Sequence, residues 1–220
     1  MKRCFLVLLV FGFALSLVLV LGLSCVSYDQ GTTGDDWSSW DEEKFKDFIT
    51  LDSSSIVECL QDIYPPYEGD LTDQPVQDGF NAIRDWVAAN IKYKTDKEQW
   101  GVAEYWQTPE DTLSLRTGDC EDFATLLCTL LRAYGIGEQQ IYIALGLDND
   151  GYGHAFLIEN WYLDGEWRAI EPQTETQTFP PGRRFEDYSL ADFRLFRDYE
   201  IVLGFNDSYY YDESFPWDED

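Results

Sequence analysis

A turn running into a helix is predicted by Thr117-Gly118-Asp119-Cys120-Glu121-Asp122-Phe123-Ala124-Thr125-Leu126-Leu127. Asp119 is the predicted N-cap, and Cys120 falls in the first turn. Apolar residues recur at helical spacing from Phe123 to Tyr134, and Gly135 follows as a natural C-cap. We therefore expect a helix that is buried along one side, with its cysteine end pointing out of the core.

A thiol at a helix start is well placed to act as a nucleophile. The partial positive charge and free N–H groups of the first turn stabilise thiolate over thiol, and they can also face an oxyanion. Any Cys/His mechanism must use His154, because the chain has a single histidine. One predicted strand runs from His154 to Asn160, and a second, Trp167 to Ile170, leads to Glu171. Nucleophile, base and orienting acid thus occur in the order Cys120, His154, Glu171.

Four motifs follow one another in the chain: Trp106-Gln107-Thr108-Pro109-Glu110-Asp111-Thr112-Leu113, Gly118-Asp119-Cys120-Glu121-Asp122-Phe123-Ala124, Gly153-His154-Ala155 and Trp167 to Pro172. Together they resemble the transglutaminase-like superfamily and, within it, the bacterial transglutaminase-like cysteine proteinases. The resemblance implies that Cys120 attacks an amide or ester carbonyl, His154 is the base and Glu171 orients the histidine. The family usually has Asp or Asn at the last position, so Glu171 is a departure. Motif order and periodicity predict an α+β fold, a papain-like core with helices packed on an antiparallel sheet.

The resemblance also points to residues around the nucleophile. Trp106 and Gln107 are candidates for an oxyanion site or substrate groove, and a tryptophan packed beneath the loop is the alternative. Some periplasmic proteinases of this family bind calcium through acids flanking the cysteine, and Asp119 and Glu121 match those positions. Together with Asp122, these two residues place three acids around the nucleophile, which oppose thiolate formation unless something neutralises their charge. A cap role for Asp119 and a buried hydrogen bond for Asp122 are the alternatives, and no other cofactor is expected.

The charge balance limits the partners. Fifteen basic residues against 42 acidic residues give a net charge of -27, which repels nucleic acid and anionic lipid surfaces. This balance suits a solvated, extracytoplasmic or salt-tolerant protein, and an acidic surface for a basic partner is the alternative. The aromatic content of 16% argues against a disordered acidic chain.

The N-terminus has the features of an export signal. Met1-Lys2-Arg3 precedes an apolar run from Cys4 to Leu23, which also has the length of a membrane-spanning helix. Leu21 to Cys25 resembles a lipoprotein signal with Cys25 as the lipidated residue, although Gly22 stands where an aliphatic residue is usual. Lipoprotein, uncleaved anchor and simple secretion all place the domain outside the cytoplasm, with membrane contact through the lipid or helix only. The predicted layout is residues 1–25 signal or anchor, 26–40 flexible tether, 41–205 transglutaminase-like domain and 206–220 acidic aromatic tail.

The remaining elements follow from local signals. Helices are predicted at about Asp41 to Leu51, from a Ser55-x-x-Glu58 capping box to Ile63, from Val76 to Tyr93, after a Thr108 cap with Pro109, and at Asp187 to Tyr199. A strand from Ile141 to Leu147 completes an antiparallel meander, and Asp148 to Gly151 is a turn because it lacks the glutamate of an EF-hand. Cys120 and Cys128 lie about 12 Å apart along one helix and cannot bridge. Cys128 is predicted to be a small buried residue. Cys59 is predicted either to be buried in the same way or to form a disulfide with Cys128.

The contact between His154 and Glu171 depends on the hairpin that joins their strands. A two-residue Asp164-Gly165 turn would pair Ile158 with Glu171. It would leave His154 four positions away, about 13 Å at about 3.4 Å per residue. We therefore predict a wider loop over about Trp161 to Glu166, and a Glu171 oxygen within hydrogen-bond reach of a His154 ring nitrogen.

Three functions fit these features. The first is an extracytoplasmic thiol amidohydrolase, a cysteine protease that acts on a protein or peptide through an acyl-enzyme on Cys120. The second is a protein transglutaminase, in which an amine resolves the same acyl-enzyme. The third is a non-catalytic module that uses the cleft to bind a partner chain.

Overall fold

The structure, a computed structural model, describes residues 37–64, 74–147, 151–160, 167–173, 200–212 and 214–216. The predictions for the signal segment, the turn at 148–150, the loop at 161–166 and the helix at 187–199 lie outside the described residues. Within the described ranges, none of the helices combines the length and apolar character that crossing a bilayer requires.

Six helices are present in the described residues, besides a short 3-10 turn at Trp37–Ser39. They are α1 Glu42–Lys46, α2 Ser54–Ile63, α3 Gln74–Asn90, α4 Asp96–Gln99, α5 Pro109–Leu115 and α6 Cys120–Tyr134. The prediction for α5 is confirmed, because Thr108 is its N-cap and Pro109 its first residue. The prediction for α6 is confirmed as well, and Gly135 ends it with a φ of 121° that favours glycine.

Three helix boundaries differ from prediction. Ser53, not Ser55, caps α2, because its extended backbone lets its hydroxyl accept the Ile56 N–H at 3.4 Å. Helix α1 ends at Lys46 instead of continuing to Leu51. Helix α3 ends at Asn90, since the residues that follow leave the helix to pair with another segment: the Lys92 N–H donates to the Arg116 carbonyl.

The strands form two sheets within the described residues. They are β1 Lys92–Tyr93, β2 Thr117–Gly118, β3 Ile141–Leu147, β4 Gly153–Glu159, β5 Arg168–Ile170, β6 Glu200–Phe205 and β7 Tyr210–Tyr211. The short strands β1 and β2 pair in parallel. The other five form an antiparallel sheet in the order β5-β4-β3-β6-β7. The predicted meander of three strands and the α+β fold are confirmed.

The core lies on both faces of the antiparallel sheet. One face packs against the helices, and α6 contributes most of its length to that layer because its apolar residues recur at helical spacing. The other face is covered by a smaller cluster that includes Trp167, Tyr209, Tyr211 and Phe215, so the described part of the predicted tail packs on the domain. Cys128 is buried as predicted, and Cys59 and Cys128 both carry free thiols.

The topology gathers three chain segments at one end of the sheet. Strand β4 begins at Gly153 and its antiparallel neighbour β5 ends at Ile170, so His154 and Glu171 lie at the same end. Helix α6 packs on β4, and its first residue is Cys120. The fold therefore brings the three predicted site residues into one neighbourhood.

Candidate active site

The nucleophile candidate Cys120 begins α6, as predicted. Its N-cap is Asp119, whose backbone N–H donates to Asp122 Oδ2 at 3.2 Å and whose carbonyl accepts the Phe123 N–H at 3.1 Å. Cys120 is half-buried, and its Sγ donates to Glu121 Oε2 at 3.3 Å. The N–H of Cys120 belongs to the first helical turn, whose N–H groups have no partner within the helix. The thiol therefore lies next to a free backbone donor.

The imidazole of His154 lies between Cys120 and Glu171. Its Nε2 donates to Glu171 Oε2 at 2.6 Å, and the Glu171 side chain is only 1% exposed. The Cys120 thiol lies close enough to the imidazole to contribute to the raised pKa of His154. Burial by itself lowers the pKa of His154, but the negative charge of Glu171, the nearby Cys120 thiol and the bond to Glu171 raise that pKa well above 6.5. This environment stabilises an imidazolium.

The register of β4 and β5 explains how His154 and Glu171 meet. Ile158 pairs with Ala169, not with Glu171, so the register of a tight Asp164-Gly165 turn does not occur. The same register places Glu171 opposite Phe156, two positions from His154 and about 7 Å along the strand. The predicted contact between Glu171 and His154 is present. Relative to the register of a tight turn, Glu171 has moved two positions towards His154, half of the four that direct pairing of the two residues would require. The glutamate side chain spans the remaining distance, which is one structural reason for Glu where the family usually has a shorter residue.

Four carboxyl groups form a cluster beside the thiol. One oxygen from each of Asp96, Asp119, Glu121 and Asp122 lies within 4.8 Å of the others. Burial raises the pKa of each, and for Asp96 and Asp122 the charge of Asp119 adds to it, giving pKa values of about 8 and about 7. Asp119 Oδ1 and Glu121 Oε1 are buried without a hydrogen-bond partner. Hard oxygen ligands with unsatisfied lone pairs fit a calcium ion, so the donor set is suitable for the cation that the resemblance implied.

The structure gives Trp106 and Gln107 packing and hydrogen-bonding roles. Trp106 is 4% exposed, and its ring contacts an aromatic group composed of Trp40, Phe45, Phe48 and Phe205. The Gln107 side-chain amide donates to the Thr117 carbonyl at 3.0 Å and to Asp122 Oδ2. Both amide hydrogens are thereby engaged. The contacts of Trp106 match the packing alternative, and the Gln107 side chain holds the loop before Cys120. A role for either residue in an oxyanion site or substrate groove stays a prediction.

Two features were missed from the sequence. Asp96 is 3% exposed, its N–H donates to Asp119 Oδ2 at 3.2 Å, and its Oδ2 accepts the Tyr105 N–H at 2.6 Å. The only local signal was the capping box of Thr95 and Glu98, which marks a helix start but not a contact with a residue 23 positions later. Gln107 was named, but its bonds to Asp122 were not foreseen. The predicted buried hydrogen-bonding role of Asp122 fits its position, since it accepts the Gln107 N–H at 2.8 Å.

A thiol at a helix N-terminus, an imidazole and a buried carboxylate on an α+β core define a papain-like thiol site. Residues 45–166, more than half of the chain, match the family of bacterial transglutaminase-like cysteine proteinases. The chain belongs to this family.

Individual relatives are more distant. The chain is 25% identical over 144 residues to a UPF0252 protein of Archaeoglobus fulgidus, which covers 56% of this chain and 45% of that protein. It is 38% identical over 58 residues to the human centrosomal protein of 76 kDa, covering 26% of this chain and 8% of the relative. The chain thus spans less than half the length of these curated relatives. Calcium-bound Legionella pneumophila LapG aligns with 22% identity and a TM-score of 0.47, covering 71% of this chain and 87% of that one.

Proposed function

We propose that the protein is a thiol peptidase that forms an acyl-enzyme on Cys120. One observation carries the proposal: the imidazole of His154 bonds to the buried Glu171 carboxylate and lies close enough to the Cys120 thiol for that thiol to raise the pKa of His154. Because Nε2 bonds to Glu171, the proposal assigns Nδ1 as the nitrogen that exchanges a proton with the thiol. This is the arrangement that lets an imidazole accept a thiol proton and hold it.

The chemical steps follow from this arrangement. The thiol proton moves to His154 Nδ1, and the Cys120 sulfur attacks the substrate carbonyl carbon to form a C–S bond. The negative charge that develops on the carbonyl oxygen faces the Cys120 N–H at the start of α6. The imidazolium then gives its proton to the leaving nitrogen as the C–N bond breaks. A water molecule, deprotonated by His154, attacks the thioester and releases the acid and the thiol.

Glu171 acts as the orienting acid in this proposal. Its charge favours the protonated form of His154, and its bond to Nε2 fixes the ring orientation and the tautomer. Glu171 is itself held by a hydrogen bond from the Gln173 N–H to its Oε1 at 3.4 Å. The carboxylate therefore positions the base and does not take the proton.

Calcium is proposed as a ligand of the carboxylate cluster, held by Asp119 and Glu121 with Asp96 and Asp122. When bound, calcium would supply positive charge that offsets the acids around the thiol. The support is the two partnerless buried oxygens, Asp119 Oδ1 and Glu121 Oε1. Turnover is expected to fall in chelator and to return with calcium but not with magnesium. Full activity in chelator would remove calcium from the proposal.

The proposed substrate is a protein or peptide outside the cytoplasm. The support for location is the charged start and apolar run of residues 1–23, with Cys25 as a lipidation candidate. Water is the proposed acyl acceptor. Incorporation of monodansylcadaverine into an acceptor protein, at a rate comparable to hydrolysis, would instead favour the transglutaminase alternative.

Site-resolved alkylation tests the proposal without a known substrate. We expect iodoacetamide at pH 6 to modify Cys120 far faster than Cys59 or Cys128. Burial raises the pKa of the Cys59 thiol to about 11 and that of Cys128 further, so both are internal references of low reactivity. His154→Ala should remove the preference for Cys120. Equal rates at the three thiols would overturn the proposal and favour a non-catalytic binding module.

A further inference from the structure

The aromatic ring of Phe156 lies against the imidazole of His154. Phe156 follows His154 by two positions in β4, so the two side chains point to the same face of the sheet. Their ring centroids are 6.0 Å apart and their planes are inclined by 23°, which is within the range of stacked aromatic pairs. The imidazole is therefore in contact with an apolar ring as well as with the Glu171 carboxylate that bonds to its Nε2.

Phe156 is also a neighbour of Glu171. Leu157 of β4 pairs with Ile170 of β5, and the next position of this antiparallel register places Glu171 opposite Phe156. Directly opposed residues point to the same face of the sheet, with Cβ atoms about 4.5 to 5.5 Å apart. From that position the Glu171 side chain reaches His154, which is two residues along β4, so it runs beside the Phe156 ring. Phe156 thus adjoins both partners of the bond between His154 and Glu171.

The surroundings of this bond are apolar on the side of Phe156. Phe156 is 0% exposed, and it belongs to the cluster on this face of the sheet that includes Tyr142 and Ile158. The Glu171 side chain is 1% exposed and that of His154 is 15% exposed. Ion pairs that are open to water contribute far less than pairs in a water-excluded site, because solvent screens the charges. A buried ring at this position is well placed to keep water away from the carboxylate.

We propose that Phe156 is a positioning residue of the thiol site, whose ring packs against the imidazole of His154 and excludes water from the bond between His154 and Glu171. This inference rests on the proposed function, since the bond acts on catalysis through the Cys120 thiolate that the imidazolium stabilises. Phe156 takes no part in proton transfer. Its effect is on the local dielectric, which sets how strongly the charge of Glu171 acts on His154.

A double-mutant cycle between Phe156 and Glu171 tests the inference. The measured quantity is the rate of Cys120 modification by iodoacetamide near neutral pH, in the wild type, Phe156→Ala, Glu171→Gln and the double variant. With the Phe156 ring in place, Glu171→Gln should slow the rate by about 10- to 150-fold. Without the ring it should slow the rate by only about 1.4- to 5-fold, the range of a solvent-exposed ion pair. The ratio of these two effects reports the coupling between the residues, which a general loss of packing leaves at one.

Ile158→Ala is the matched control. Ile158 lies two positions beyond Phe156 on the same face of β4, belongs to the same cluster and is also 0% exposed. It is four positions from His154, about 13 Å along the strand. Its truncation should lower the free energy of unfolding but leave the effect of Glu171→Gln on alkylation unchanged. Phe156→Leu keeps an apolar side chain and serves where Phe156→Ala does not fold, with a smaller reduction expected in the same direction.

The outcomes separate this inference from the proposed function. If iodoacetamide modifies Cys120 no faster than Cys59 in the wild type, the proposed function fails and the inference fails with it. If Cys120 is preferred but Glu171→Gln slows its modification equally with and without the Phe156 ring, the inference alone is overturned. An equal reduction in Ile158→Ala also overturns it, because the effect would then come from packing in general. A wild-type rate that Glu171→Gln does not change leaves no bond for Phe156 to protect, and it overturns the inference too.

Discussion

The bond between His154 and Glu171 gives the sharpest prediction, and Glu171→Gln is the perturbation. Glutamine keeps the size of the side chain and an acceptor oxygen but removes the charge that raises the pKa of His154. The wild-type bond is 2.6 Å long and its acceptor is only 1% exposed, so solvent screening is weak. A hydrogen bond to a charged group contributes about 1.5 to 3 kcal/mol. At 1.36 kcal/mol per factor of ten, we expect Cys120 alkylation near neutral pH to slow by about 10- to 150-fold.

The pH dependence of unfolding tests the same bond independently. The folded-state pKa of His154 is raised above the unfolded value near 6.5, so the folded protein binds the proton more tightly. This stabilisation is fully present below the unfolded pKa and is lost as the pH rises through the folded pKa. The difference in urea unfolding free energy between wild type and Glu171→Gln should therefore be larger at pH 6 than at pH 9. Because other acids titrate in this range, the comparison is between variants at each pH.

Glu200→Gln is the matched control, since Glu200 is exposed at the start of β6. It should change neither the alkylation rate nor the pH dependence. Suppose that Glu171→Gln alters alkylation by less than twofold and that its unfolding difference is the same at both pH values. The reasoning that Glu171 stabilises the imidazolium would then be refuted.

Three further predictions concern the surroundings of the thiol. Gly118→Ala should destabilise by about 1 to 3 kcal/mol in urea unfolding and slow Cys120 alkylation, because the new Cβ would lie 2.5 Å from Asp122 Cβ and 2.9 Å from Gln107 Nε2. The control Gly153→Ala meets only Leu147, at 3.9 Å, and equal losses in both variants would contradict the clash. In chelator, the free energy of unfolding should fall from pH 5 to pH 8, because the clustered carboxyls have raised pKa values in the folded protein and the unfolded chain loses their protons at lower pH. Calcium should make this fall smaller. A free energy of unfolding that rises with pH in chelator would contradict the prediction. Trp106→Ala should lower the free energy of unfolding by about 3 to 5 kcal/mol, whereas Trp106→Phe should keep most of the stability and the Cys120 labelling rate. A Trp106→Phe variant with normal stability but no turnover would instead support an oxyanion role for Trp106.

Local signals in the sequence were enough to predict most elements. The start and end of α6 follow from Asp119, the apolar period and Gly135, because caps and periodicity act within a few residues. The buried face of α3 and the strand Ile141–Leu147 were predicted for the same reason. Motif order then predicted the family and the presence of Cys120, His154 and Glu171 in one chain. The predicted cap of α2 was wrong by two residues, since serine is a favourable N-cap at both 53 and 55, and the path of the chain selects Ser53 although only Ser55 has the capping-box glutamate.

The tertiary structure decided which distant residues meet. The register of β4 and β5 sets the distance from His154 to Glu171, and a shift of one position would turn every side chain of β5 to the other face. Asp96 joins the carboxylate cluster only because the segment after β1 packs beside the start of α6. The Lys92 and Lys94 N–H groups donate to carbonyls of the segment that contains β2, so the N–H and C=O of Tyr93 point away from β2. Such contacts depend on pairing between segments far apart in the chain, so composition and local periodicity carry little information about them.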